Sequence, residues 1–233
     1  MNPYSSLMFV MLLLVTGCAG DHARYLATLT ETLQGEEARF IGTYQAETLA
    51  KPSVRKGPPK LGLYVMPTGF LRHEFEWTDA DRESLLTWTK DLQREGRISG
   101  ASFIHLSSGK GNQLKQLRES ARRYDADILL IVDGAATVDR YLNYKGVLLY
   151  WTIFGAYYVD GTYSDALCLV RGSLWDVPSG IRLVQEEGQG LSERVGPTAV
   201  LDDQKGVTEA RRQALNGLME KLRDAVVAEG SGR

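Results

Sequence analysis

Asp127-Ile128-Leu129-Leu130-Ile131-Val132 decides the fold. An unbroken apolar run of strand length is the pattern of a β-strand buried on both faces. Such a strand needs neighbours in its sheet and helices to cover it, so its flanks should supply both. Upstream, Leu61 to Pro67 is a short strand closed by Pro67 and Gly69. Thr78 and Asp81 form an N-cap for a helix to about Glu95, with Leu85, Leu86, Trp88 and Leu92 on one face and Gly96 at its stop. Ala101 to Leu106 is a second strand, followed by a helix carrying Leu114, Leu117, Ala121 and Tyr124. Downstream, strands are expected near 136–143, 164–176 and 181–187, the last two joined by the turn Val177-Pro178-Ser179-Gly180. Thr208 is expected to cap a final helix to about Ala228, striped with Val207, Ala210, Ala214, Leu218, Leu222 and Ala225. The order β-α-β-α-β-β-β-β-α predicts an α/β (α+β) domain: a mixed sheet of about five to six strands with helices packed on at least one face.

The chain of 233 residues is 43% apolar and 24% charged, with formal charge −2. That composition supports one sizeable core and argues against a polybasic nucleic-acid binder. Three His and two Cys are too few for a zinc ribbon or a disulfide framework. Cys168, inside Ala166-Leu167-Cys168-Leu169-Val170, reads as a small buried hydrophobe.

Residues 7–15 form an apolar run too short to span a bilayer and suited to a signal peptide. Val15-Thr16-Gly17-Cys18 resembles a bacterial lipobox, which would make Cys18 the acylated first residue of the mature protein. Residues 1–17 are then a lipoprotein signal peptide, and 18–59 a tether with one short helix around Tyr25, Leu26, Leu29 and Leu33 and a Pro-rich linker at 51–59. The α/β domain follows at 60–228, with a disordered tail at 229–233. Ala19 after the cysteine, by resemblance to enterobacterial sorting, points to the periplasmic face of the outer membrane rather than the inner membrane.

Motifs for chemistry are weak. Ser107-Ser108-Gly109-Lys110-Gly111 joins a strand to a helix, yet Ile104 stands where a phosphate loop needs Gly, and Gly111 where it needs Ser or Thr. His22, His73 and His105 have no ligand-spaced partners in sequence, and no Ser sits in a Gly-x-Ser-x-Gly elbow. Asp125, Asp127, Asp133 and Asp139 around the third strand read as solvated strand-end carboxylates. No catalytic, cofactor or metal residue is assigned.

The unusual stretch is 147–159, thirteen uncharged residues of which Tyr150, Trp151, Phe154, Tyr157 and Tyr158 are aromatic. It is too short for a transmembrane helix. A buried strand pair of the core is the leading expectation. An exposed surface for a protein partner and a segment in the membrane interface are the alternatives. As core, Trp151→Ala would cost about 3–5 kcal/mol.

Within this stretch Tyr150-Trp151-Thr152-Ile153-Phe154-Gly155-Ala156-Tyr157 resembles the Tyr-Trp-Thr-Ile-x-Gly-Ala-Tyr signature of the rhombotarget lipoproteins of proteobacteria. Leu61 to Pro67, Tyr124 to Asp127 and Ser173 to Asp176 are similar to other parts of that family, so the resemblance covers roughly 60–225. The element order is also similar to the periplasmic domains of curli-secretion lipoproteins and of lipoprotein activators of penicillin-binding proteins. The resemblance brings no catalytic residues, and with three His and no nucleophile motif the favoured reading is a membrane-anchored, non-enzymatic accessory protein that binds another envelope component. The alternatives are a cell-envelope hydrolase and an oligomeric export component. The latter needs membrane-spanning strands, of which 147–159 offers one candidate.

Overall fold

A computed structural model describes residues 22–41, 53, 57–67, 75–106 and 113–230. The central apolar run opens a strand far longer than expected. Strand β3 runs without a break from Ile128 to Leu142, merging the expected third strand with the one at 136–143. Asp133-Gly134, which reads as a strand end, lies inside the ladder. Asp133 faces Arg171 across the sheet, and Phe75 takes the space above Gly134, where an added Cβ would lie 2.2 Å from the ring.

Five strands form one mixed sheet in the order β2-β1-β3-β4-β5. β1 (Lys60–Val65) lies parallel to β2 (Gly100–Phe103) and to β3. β4 (Thr162–Asp176) and β5 (Arg182–Gly196) continue the sheet antiparallel, β5 running well beyond the expected 187. Because β1 and β2 end near Val65 and Phe103, the second half of β3, the first part of β4 and most of β5 project as a three-stranded antiparallel arm. Ten residues of β3 past Val132 make that arm roughly 30 Å long.

Helices cover both faces. On one face α2 (Asp79–Arg94) and α6 (Asp203–Gly230) pack over Leu61, Leu63, Leu130, Val132, Cys168 and Val170. On the other lie α1 (His22–Ile41) and α3 (Gln113–Arg123), the latter burying Leu114, Leu117 and Ala121 against Leu129 and Trp175. The α2 cap is as expected. Thr78 accepts from Asp81 N, Asp81 Oδ2 accepts from Thr78 N, and Gly96 closes the helix at φ 71°. Thr208 is not a cap, for α6 begins at Asp203, with Asp202 Oδ1 accepting from Gln204 N at 3.0 Å. The same helix runs to Gly230, past the expected end at Ala228.

The helix expected in the tether is twenty residues long and lies on the sheet. Leu29 and Leu33 pack with Ala135, Leu167 and Leu169, and Phe40 stacks on Tyr64 at 5.9 Å. Its C-terminal end therefore sits over β1 and its first residue, His22, reaches Asp165 far along the arm. Cys168 is fully buried, and desolvation pushes its thiol up to about 12, as suits the small hydrophobe expected there. The signal peptide, Cys18, His73 and the Ser107–Gly111 loop lie outside the described residues.

Candidate functional site

The expected strand pair at 147–159 is absent. After β3 the chain forms two short helices, α4 (Tyr144–Leu149) and α5 (Ile153–Tyr158), as a helical hairpin at the tip of the arm between Leu142 and Thr162. The cause is local. Asn143 Oδ1 accepts from Lys145 N at 2.9 Å and from Gly146 N at 3.1 Å, and the Thr152 hydroxyl accepts from Gly155 N at 3.1 Å, so each helix starts on a side-chain cap. The finding also removes the one membrane-spanning strand candidate of the export reading.

The hairpin base is rigidly tied. The Tyr150 hydroxyl donates to Val159 O at 3.1 Å and accepts from Gly161 N and Thr162 Oγ1, both at 3.0 Å, and from Thr198 N at 3.3 Å. Ala199 N donates to Ala156 O at 3.1 Å, joining α5 to the loop after β5. Gly155 marks the close backbone approach that its bulky neighbours suggest, since an added Cβ would lie 2.0 Å from Leu149 O. Gly146 and Gly161 sit equally tightly against each other. Removing the hydroxyl in Tyr150→Phe takes a part-buried acceptor from Thr162 Oγ1 and Thr198 N, which costs about 1 kcal/mol. The expected outcome is a lowered melting temperature, with faster amide exchange concentrated in 144–161.

What this scaffold displays is apolar. Trp151 is 87% exposed, Ile153 81%, Tyr158 80% and Phe154 78%, with Tyr157 and Leu148 also above half. Burial as core is thereby corrected for Trp151, Ile153, Tyr157 and Tyr158; of the singled-out motif, Gly155 is buried and Tyr150 half-buried, while Thr152 is an exposed cap. Monomers rarely expose a contiguous apolar patch of more than a few hundred Å², and a rigid one marks a contact surface. Leu142, Tyr144 and Val147 extend the patch, and the strand expected at 136–143 hides the first of these in the sequence.

Titratable groups gather elsewhere on the arm. Asp139, Asp165 and Glu193 face one another in a row across β3, β4 and β5. Like charges directly opposite are unfavourable. His22 Nε2 lies 3.1 Å from Asp165 Oδ2, and the Tyr141 hydroxyl donates to the same oxygen at 3.0 Å. Burial first, and then this hydrogen bond, push the Tyr141 phenol up to about 12, so it remains a donor. His22 therefore does acquire partners: it, Asp165 and Glu193 offer ligand atoms within 4.8 Å of one another, a set that a divalent cation can use. What is observed there is a clamp on the start of α1. The spacing that separates these residues in sequence is closed by strand register, which no local motif reveals.

A second cluster lies under the far end of α1. Buried Arg171 pairs with Glu187 and with Glu37 (3.4 Å), and Arg182 reaches Glu37 at 2.6 Å. The cavity beside them measures about 20 Å³, room for about one water and not for a substrate. Asp127 is held as a backbone acceptor, its Oδ2 taking Lys60 N at 2.8 Å. Asp133 Oδ1 likewise accepts from Gly134 N at 2.8 Å. No helix among the described residues is long and apolar enough to cross a membrane.

No family model matches the chain, and no curated protein does. Among solved structures it is similar to a neuraminyllactose-binding hemagglutinin homolog from Helicobacter pylori, with TM-score 0.44 at 11% identity over 80% of this chain and 93% of that one. A minor lipoprotein from Acinetobacter baumannii matches with TM-score 0.34 at 11% identity, covering 73% and 92% of the two chains. The C-terminal domain of LpoB from Salmonella enterica matches with TM-score 0.31 at 10% identity, covering 70% and 95%.

Proposed function

We propose that this protein is a lipoprotein of the bacterial envelope, acylated at Cys18 and held at the periplasmic face of the outer membrane. It acts there as a non-enzymatic accessory protein, by binding. One observation carries the reading: a braced hairpin on which Trp151, Ile153, Phe154 and Tyr158 all face solvent. Folding gains nothing from exposing them, so their use lies in contact with another component of the envelope. The lipobox supplies the address, and the Tyr150–Tyr157 motif supports placing the chain among the rhombotarget lipoproteins.

The test has two arms. Metabolic labelling with a palmitate analogue should mark the wild type and its outer-membrane fraction, and Cys18→Ser should lose both. Label retained by Cys18→Ser contradicts the anchor. In a deletion strain, the double variant Ile153→Asp/Phe154→Asp should remain anchored and folded yet fail to restore the envelope function. Full complementation by that variant contradicts the assignment of the hairpin.

A further inference from the structure

We propose that the occupant of the hairpin surface is the bilayer itself, the α4–α5 tip seating in the interface of the leaflet that holds the N-terminal anchor. This deepens the function proposed above and rests on it for the anchor.

The placement comes from α1. Its end at Phe40 stacks on Tyr64 of β1, and its start at His22 touches Asp165, so the helix runs back along the arm towards the tip. Asp165 is three residues from Thr162, where β4 leaves the hairpin, a distance of roughly 10 Å along the strand. Cys18 stands four residues before His22, and four extended residues reach at most about 14 Å. The acyl chains are thus confined to the end of the molecule that carries the hairpin. A tether emerging near Tyr64 would have pointed the hairpin away from the membrane.

The chemistry of the surface agrees. Trp and Tyr with aliphatic neighbours are the mixture that settles at the headgroup boundary, with rings in the acyl region and polar atoms in the wet layer. Trp151, Phe154, Ile153 and Tyr158 supply that mixture. Lys145 and Asp160 bound the uncharged stretch, and Lys145 is exposed with a stem long enough to reach headgroups. The hairpin is too short to span the bilayer, so contact is limited to one leaflet. An inserted aromatic tip supplies a contact beyond the acyl chains and fixes the orientation of the sheet above the membrane.

Tryptophan fluorescence reads this directly. Of the four tryptophans, Trp77, Trp88 and Trp175 are at most 8% exposed, which leaves Trp151 as the reporter. The full-length acylated protein is placed in vesicles of phosphatidylethanolamine and phosphatidylglycerol, with or without bromine on the acyl chains. The emission lost in Trp151→Phe isolates the Trp151 component. That component should be blue-shifted, lose most of its intensity to brominated lipid and be shielded from aqueous iodide. Ile153→Asp/Phe154→Asp should reverse all three effects without altering the melt. Trp151 emission that is quenched by iodide and untouched by brominated lipid overturns the proposal and assigns the surface to a protein partner or a second copy. The mass of the N-terminal peptide reports acylation separately. Acylated protein with unquenched Trp151 refutes only the bilayer contact. Quenching with a cell-derived wild-type protein whose N-terminal peptide carries no acyl mass supports the contact and refutes the anchor.

Discussion

Asp81→Ala should cost about 3–5 kcal/mol, because it breaks a buried ion pair and a helix cap together. The carboxylate is buried, with Oδ2 accepting from Thr78 N and Thr78 Oγ1 at 2.7 Å each and lying 2.9 Å from Arg211 Nε. Arg211 is 4% exposed, and its remaining partner is Glu76 O at 2.7 Å. Truncation therefore leaves a guanidinium in the apolar layer between α2 and α6, where water cannot replace the lost charge. At about 2–4 °C per kcal/mol for a chain of this size, the melting temperature should fall by roughly 6–20 °C. Asp81→Asn keeps the shape and much of the cap, so it should fall between the two. A loss below about 1 kcal/mol for Asp81→Ala would show that Arg211 escapes to solvent.

Gly188→Val should be as damaging for a steric reason. Helix α6 lies so close to β5 that a Cβ on Gly188 would stand 1.9 Å from Ala214 O and 2.6 Å from Leu218 N, and one on Gly190 would stand 1.9 Å from Ala210 O. These neighbours are helix backbone, which cannot rotate away as a side chain does. Ordinary overpacking costs about 1–3 kcal/mol, and here the cost should exceed that range, because α6 must lift from Cys168, Val170 and Leu174. A glycine on the same helix provides the opposite sign. Gly217 has open space around its missing side chain, so Gly217→Ala should stabilise by up to about 1 kcal/mol through helix propensity. Chemical denaturation of the pair checks both, and equal effects from the two would contradict the packing.

The core was largely readable because it is written in local patterns. The run after Asp127, the Thr78–Asp81 box and the α6 stripe each carry their own period, and each lands on its element. Failures cluster where a pairing or a neighbour decides. Asp133-Gly134 reads as a break, yet Arg171 opposite and Phe75 above make it continuous strand. Thr208 is a good cap residue, but Asp202 starts α6 a turn and a half earlier. The helix at 22–41 was legible as a helix, whereas its seat on the sheet depends on Leu167 and Leu169, which sequence spacing cannot connect to Leu29 and Leu33.

The aromatic hairpin departs from its sequence pattern for a different reason. Hydrophobicity predicts burial only on average, and a functional surface departs from that average. Its local signals were nevertheless present, for Asn143 and Thr152 are helix-capping residues nine positions apart, and both cap. Only the fold says what lies opposite the apolar side chains, and among the described residues nothing covers Trp151.

The thermal melt of Trp151→Ala tests that claim most directly. A Trp in the core costs about 3–5 kcal/mol on truncation, equivalent to a drop of roughly 6–20 °C. With Trp151 87% exposed, the expected melting temperature lies within about a degree or two of wild type. A drop approaching the core value would contradict it, returning 147–159 to the interior and leaving the protein without the surface on which its proposed function rests.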